Sequence, residues 1–182
     1  NIYAGGNTAC VVGDSLATNP GGNTYLTMVK GMLYDYTQVR PGQTADQKFF
    51  DSMEWEEVYD KVGSPHFCVF GGGFGENTTI LGNTNVNITM MKRGSVKDFD
   101  IVAGQEYRHF LSGTSVMDIV GGGYSGKVVG DTYITGSGGV FCRRVFGGGF
   151  YNSVNATHVN LEAIDTHDIF GGGLMGDVLK ST

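Results

Sequence analysis

The sequence predicts an all-β fold, a solenoid of parallel coils with one inserted amphipathic helix, forming a single domain over residues 1–182. Three observations predict it. The first is a recurring run of two apolar residues, three glycines and one apolar residue. Val69-Phe70-Gly71-Gly72-Gly73-Phe74 is repeated at Ile119-Val120-Gly121-Gly122-Gly123-Tyr124, at Val145-Phe146-Gly147-Gly148-Gly149-Phe150 and at Ile169-Phe170-Gly171-Gly172-Gly173-Leu174. The second is a segment between these runs: Gly22-Asn23-Thr24-Tyr25-Leu26-Thr27, Gly82-Asn83-Thr84-Asn85-Val86-Asn87-Ile88-Thr89, Gly130-Asp131-Thr132-Tyr133-Ile134-Thr135 and Asn155-Ala156-Thr157-His158-Val159-Asn160-Leu161. Its apolar residues alternate with polar or tyrosine positions, the period of a strand with one buried face. The third is composition: 31 Gly and only 3 Pro among 182 residues, without a collagen period and with 40% hydrophobic residues. Such glycines serve close backbone approach or positive φ rather than disorder.

The first glycines of the four runs stand 50, 26 and 24 residues apart, at positions 71, 121, 147 and 171. Fixed periods of this size mark stacked repeat units. Two degenerate copies, Ile2-Tyr3-Ala4-Gly5-Gly6 and Ile101-Val102-Ala103-Gly104, extend the series, the second filling the 50-residue gap with an extra coil. Each unit reads as strand, triple glycine, short strand, turn at Gly-Asn/Asp-Thr, and strand. Along the chain, residues 1–29 form the first coil, and Asn19-Pro20-Gly21-Gly22 is its turn. Residues 44–61 then lack Gly and Pro, and Phe49, Phe50, Met53, Trp55, Val58 and Tyr59 fall at helical spacing. With Thr44 and Gln47 at its start and Gly63 and Pro65 at its end, this predicts an inserted helix over about 43–62, packed as a cap. Residues 68–91 are the best-preserved coil, about 92–115 a loose one, and the last coil is incomplete. The missing initiator Met and the unfinished final coil read as a mature or excised piece of a longer protein.

Identical positions in successive coils stack at about 4.8 Å. Val69, Ile119, Val145 and Ile169 therefore form one buried ladder, and Phe70, Val120, Phe146 and Phe170 a second on the opposite side of the strand. The second ladder is apolar as well. Either the glycines bend the chain so that both ladders are covered, or the aromatic ladder is a contact surface. Phe70, Phe74, Tyr124, Phe146, Phe150, Phe170 and Leu174 are thus the candidate assembly and stacking residues.

The net charge of −6 and the absence of a basic cluster argue against nucleic acid as a partner. Arg143-Arg144 and Lys92-Arg93 read as solvated pairs. No apolar run is long enough to span a bilayer. Cys10, Cys68 and Cys142 lack zinc-ligand spacing and read as buried thiols, with a disulfide between neighbouring coils as the alternative. The four histidines suggest no metal site and read as surface residues. No Asp recurs at the offset a calcium-binding solenoid requires, and the triple glycines lack the Lys-Ser/Thr of a phosphate loop. The threonines are too irregular for an ice-binding ladder. No cofactor is expected. Asn77, Asn87 and Asn155 begin N-glycosylation sequons.

The pairing of Val-Phe-Gly-Gly-Gly with a downstream Gly-Asn-Thr-x-Val-x-Ile resembles repeats of large secreted or surface-displayed bacterial proteins, including adhesin-like proteins of gut bacteria. The resemblance covers about two thirds of the chain and leaves out residues 44–61. It implies a right-handed parallel β-helix in an exported surface or fibre protein, and it carries over no catalytic residues. The expected function is a non-catalytic structural module of an extracellular fibre or cell-surface adhesin. Its open ends would self-associate into an oligomer or filament, or meet further repeats of the same chain. The alternative is a carbohydrate-binding or lyase-like β-helix acting on a host or matrix glycan. Asp98, Asp100, Glu106, Arg108 and His109 would form its site, because Asp98 and Asp100 share a face if the segment is a strand.

Overall fold

The computed structural model describes residues 1–7, 9–13, 16, 21–29, 68–89, 99–102, 105–108 and 114–180, and within them the protein is all-β. The strands are β1 (Ile2–Tyr3), β2 (Ala9–Val12), β3 (Thr24–Met28), β4 (Val69–Phe70), β5 (Asn77–Ile80) and β6 (Thr84–Thr89). They continue as β7 (Phe99–Val102), β8 (Gln105–Arg108), β9 (Thr114–Val120), β10 (Lys127–Val128), β11 (Thr132–Phe146) and β12 (Thr157–Phe170). The helix expected over 43–62 lies outside the described residues.

The two larger sheets are parallel, and they pair like positions of successive repeats. Ile2 lies beside Val69, Val69 beside Ile119, Ile119 beside Val145, and Val145 beside Ile169. The threonines of the Gly-Asn-Thr segments align in the same way: Thr24 with Thr84, Thr84 with Thr132, and Thr132 with Thr157. A third row joins β2, β5 and β10, and Val154 bridges Val178 beyond it. Repeats that are neighbours in sequence are therefore neighbours in space, and the degenerate copy at residues 2–6 is a true member of the series.

The other degenerate copy is not. Val69 pairs directly with Ile119, so no extra repeat fits between them. Ile101 and Val102 belong instead to β7, which runs antiparallel to β8. Of the loose coil expected over about 92–115, the described residues 99–102 and 105–108 pair with each other, and Thr114 and Ser115 already belong to β9 beside β11. Ile101-Val102-Ala103-Gly104 has one glycine where the stacked copies at 71, 121, 147 and 171 have three.

The three glycines are required by backbone proximity. A Cβ on Gly71, Gly121 or Gly147 would overlap the carbonyl oxygen of Gly121, Gly147 or Gly171 respectively. None of these glycines has a positive φ; their role is close approach, not left-handed backbone. The amide nitrogens then bond along the row, Gly71 to Val120 O at 2.9 Å, Gly121 to Phe146 O at 2.9 Å and Gly147 to Phe170 O at 2.8 Å.

A buried threonine closes each step. The Thr24 hydroxyl donates to Gly71 O at 2.7 Å, Thr84 to Gly121 O at 2.6 Å, Thr132 to Gly147 O at 2.5 Å and Thr157 to Gly171 O at 2.6 Å. Each bond joins one repeat to the next, so the two sequence signatures are halves of one contact. Beside them runs a side-chain ladder at the turn. Asn23 Oδ1 accepts from Asn83 N at 2.8 Å, and Asn83 Oδ1 from Asp131 N at 2.9 Å.

Between these rows lies a core of Leu26, Val69, Val86, Ile88, Val116, Ile119, Ile134, Cys142 and Val145. Leu26, Val86, Ile134 and Val159 form one register column, so the alternating apolar residues face inward as the period predicts. Ile80, Val128 and Val154 form a separate small core at the third row.

Three substitutions test this account. Gly121→Ala, which drives a methyl group into the next backbone, should lower stability by about 1–3 kcal/mol in denaturant unfolding. Gly171→Ala, which meets nothing within 4 Å, should fall within about 0.5 kcal/mol of the parent. Thr84→Val keeps the shape but leaves the Gly121 carbonyl without its donor, and should cost about 1–3 kcal/mol.

Candidate assembly surface

The residue before and the residue after each glycine run come together across the run. Phe70, Val120, Phe146 and Phe150 are buried with Cys68 in one cluster, flanked by half-buried Tyr3, Tyr124 and Leu174. The rings stack along the repeats: Tyr3 on Phe70 at 4.9 Å, Phe74 on Tyr124 at 5.0 Å, and Phe146 on Phe170 at 5.0 Å. Phe150 meets both Phe70 and Phe146 edge-on at 5.2 Å. Of the two outcomes open for the second ladder, the inner repeats take the covered one.

The seven candidate stacking residues therefore divide. Phe70, Phe146 and Phe150 are buried within the chain, and Phe74, Tyr124 and Leu174 are half-buried. Phe170 is 43% exposed, and Ile169, expected in the buried ladder, is 54% exposed. Their equivalents Val145 and Phe146 are 0% and 1% exposed. Met175 and Leu179 add to the same exposed end. Sequence reasoning missed Ile169, Met175 and Leu179 as surface.

The backbone at this end repeats the inner pattern without a partner among the described residues. Each inner run donates from its first and second glycine to the following run, as Gly147 does to Phe170 O and Gly148 to Gly172 O. Each also accepts at its third glycine and the next residue, as Gly149 O does from Leu174 N and Phe150 O from Met175 N. Gly171, Gly172, Gly173 and Leu174 present this same set to a repeat that would lie on them.

Inside the stack, the positions before the apolar pairs form a polar column. Asp118 is in register with Arg144, and Arg144 with Asp168. Arg144 Nη2 lies 3.1 Å from Asp118 Oδ2, with the Asp118 side chain fully buried. The Arg144 guanidinium also lies 5.2 Å from the centre of the Phe146 ring. Arg144 was expected to be solvated; it is buried because its place in the column faces a carboxylate one repeat away. Cys68 lies in the aromatic cluster, where its thiol also donates to Asp118 Oδ2 at 3.9 Å, and Cys142 lies in the main core; both are buried free thiols.

The alternative sugar cluster is placed only in part. Asp98 and His109 lie outside the described residues. Asp100 is in register with Tyr107, Glu106 with Ile101, and Arg108 with Phe99. Position 100 thus belongs to one alternating set of the antiparallel pair, and positions 106 and 108 to the other. Among the sequons, Asn77 is exposed and Asn87 half-buried, with its Oδ1 buried. Asn155 Nδ2 is engaged with Asp131 Oδ1 at 2.6 Å. His158 stacks on Tyr133 at 4.5 Å and lies 3.7 Å from Asp131. No helix among the described residues is long and apolar enough to cross a membrane.

Comparisons with protein-family models, with curated proteins and with solved structures find no match to this chain.

Burial, with a hydrogen bond to Tyr151 adding to it, pushes the Tyr124 phenol up to about 12. A raised folded pKa favours the neutral form in the fold. That contribution is complete below the ordinary tyrosine value of 10.0 and is lost as pH rises through about 12. Titration by ultraviolet absorbance should include a phenol ionising near 12, and Tyr124→Phe should remove that contribution and flatten the fall in stability above pH 10.

Proposed function

We propose that the protein is a non-catalytic structural module of an extracellular fibre or cell-surface adhesin. In this reading it is a right-handed parallel β-helix that extends by end-to-end stacking of repeats. The all-β architecture with parallel, in-register repeats supports the β-helix, and right-handed crossover is the strong rule for parallel connections. One observation carries the assembly reading. Ile169 and Phe170 are exposed at positions that are fully covered in every inner repeat, beside glycines that offer the hydrogen-bonding set of an inner run.

The chemistry of that surface suits a repeat better than a small ligand. Apolar ladder residues and a flat row of backbone donors and acceptors are satisfied together only by another strand at about 4.8 Å. A contact between this end and the opposite end of a second copy is head-to-tail, which does not close and so grows into a filament.

The test is sedimentation and negative-stain electron microscopy across a concentration series, on the parent and on Phe170→Asp. The parent should form elongated particles that lengthen with concentration, while Phe170→Asp should stay monomeric and folded, with a melting temperature lowered only by the loss of its stack on Phe146. A parent that is monomeric at every concentration, or filaments indifferent to Phe170→Asp, would overturn the proposal.

A further inference from the structure

A second feature lies on the flank of the stack, away from its end. From the residue after the glycines to the third-row core residue, three repeats take the same path: Tyr124 to Val128, Phe150 to Val154 and Leu174 to Val178, four steps each. The repeat at Phe74 takes six steps to Ile80, although Ile80 keeps register with Val128. The two extra residues are pushed outward at this corner, where Glu76 and Asn77 are exposed. The bulge is tied down by Thr78, whose amide and hydroxyl both donate to Gly75 O, at 2.9 and 2.7 Å.

Two repeats further on, the same corner carries a large ring. Gly75, Ser125 and Tyr151 follow one another in register, through Ser125 N to Phe74 O and Tyr151 N to Tyr124 O, each 3.0 Å. Tyr151 therefore stands as a wall beside a small serine and a glycine. Its ring is held edge-on to Tyr124 at 5.1 Å, and Asn152 Nδ2 donates to Ser125 O. The result is a cleft of about 510 Å³ lined by Glu76, Tyr124, Ser125, Tyr151 and Asn152. That size suits a small ligand.

We propose that this cleft binds a neutral saccharide. Tyr151, 47% exposed, offers a pre-positioned ring face for the C–H side of a sugar. Around it stand a carboxylate, a serine hydroxyl, an asparagine amide and tyrosine hydroxyls, a set that both accepts from and donates to sugar hydroxyls. Among the described residues Glu76 is the one charged group in the lining, and it disfavours an anionic sugar. The site shares no residue with the segment around residues 98–109, and it does not depend on assembly through the end of the stack.

The test is titration of the dilute protein with cellotriose, chitotriose, mannotriose and lactose, followed by tyrosine fluorescence and amide chemical shifts. At least one should bind saturably at millimolar concentrations or below, with shifts centred on Ser125 and Asn152. Tyr151→Ala should weaken it by roughly tenfold or more, as loss of an aromatic anchor does, with the protein still folded and its particle length unchanged, and Tyr151→Phe, which keeps the ring, should retain most of the binding. Glu76→Gln should weaken it less and keep the same sugar preference. No saturable response to any of the four sugars, or binding indifferent to Tyr151→Ala, would overturn the proposal.

Discussion

The structure depends on one contact made four times: a buried threonine hydroxyl donating to the carbonyl of the first glycine in the next repeat. A carbonyl held this close to the next backbone cannot be reached by water, and leaving it without a donor is costly. The glycine admits the close approach, and the threonine satisfies the group that the approach buries. Neither residue type works alone, which is why the two signatures recur together through the chain. Once that contact fixes the register, the apolar columns fall into line on either side of it.

A parallel stack of similar repeats faces a register problem, because one repeat resembles the next closely enough to slip. The buried Asp118–Arg144 pair opposes such slippage. A shift of one repeat would leave a fully buried carboxylate without its guanidinium, a loss on the order of 3–5 kcal/mol. The aromatic cluster works in the same direction. Val120 stands between Phe70 and Phe146 in the ladder, and Phe150 fills the space its smaller side chain leaves. Identity of the repeats gives the stack, and these departures from identity order it.

Much of this was legible in the sequence, and the reason is physical. A residue needed for backbone proximity recurs wherever the proximity recurs, so the four glycine runs, the copy at residues 2–6 and the aligned threonines could be read directly. The copy at 101–104 misled because two β-branched residues followed by Ala-Gly also suit an ordinary strand, and only pairing separates the two. Arg144 misled for a related reason: its partner Asp118 lies 26 residues away, and charge next to charge in sequence suggests solvent until the register is known. The cleft could have been suspected from the two additional residues between Phe74 and Ile80. The exposure of Ile169 and Phe170 required the fold.

The most direct test of the central claim is native-state hydrogen exchange of the glycine amides in the dilute protein. The account predicts strong protection of Gly71, Gly121 and Gly147, each bonded to the following repeat. Gly171 and Gly172, which have no following repeat among the described residues, should exchange orders of magnitude faster. Equal protection across all four runs, or fast exchange at Gly71, Gly121 and Gly147, would contradict a stack in which each repeat is closed by the next.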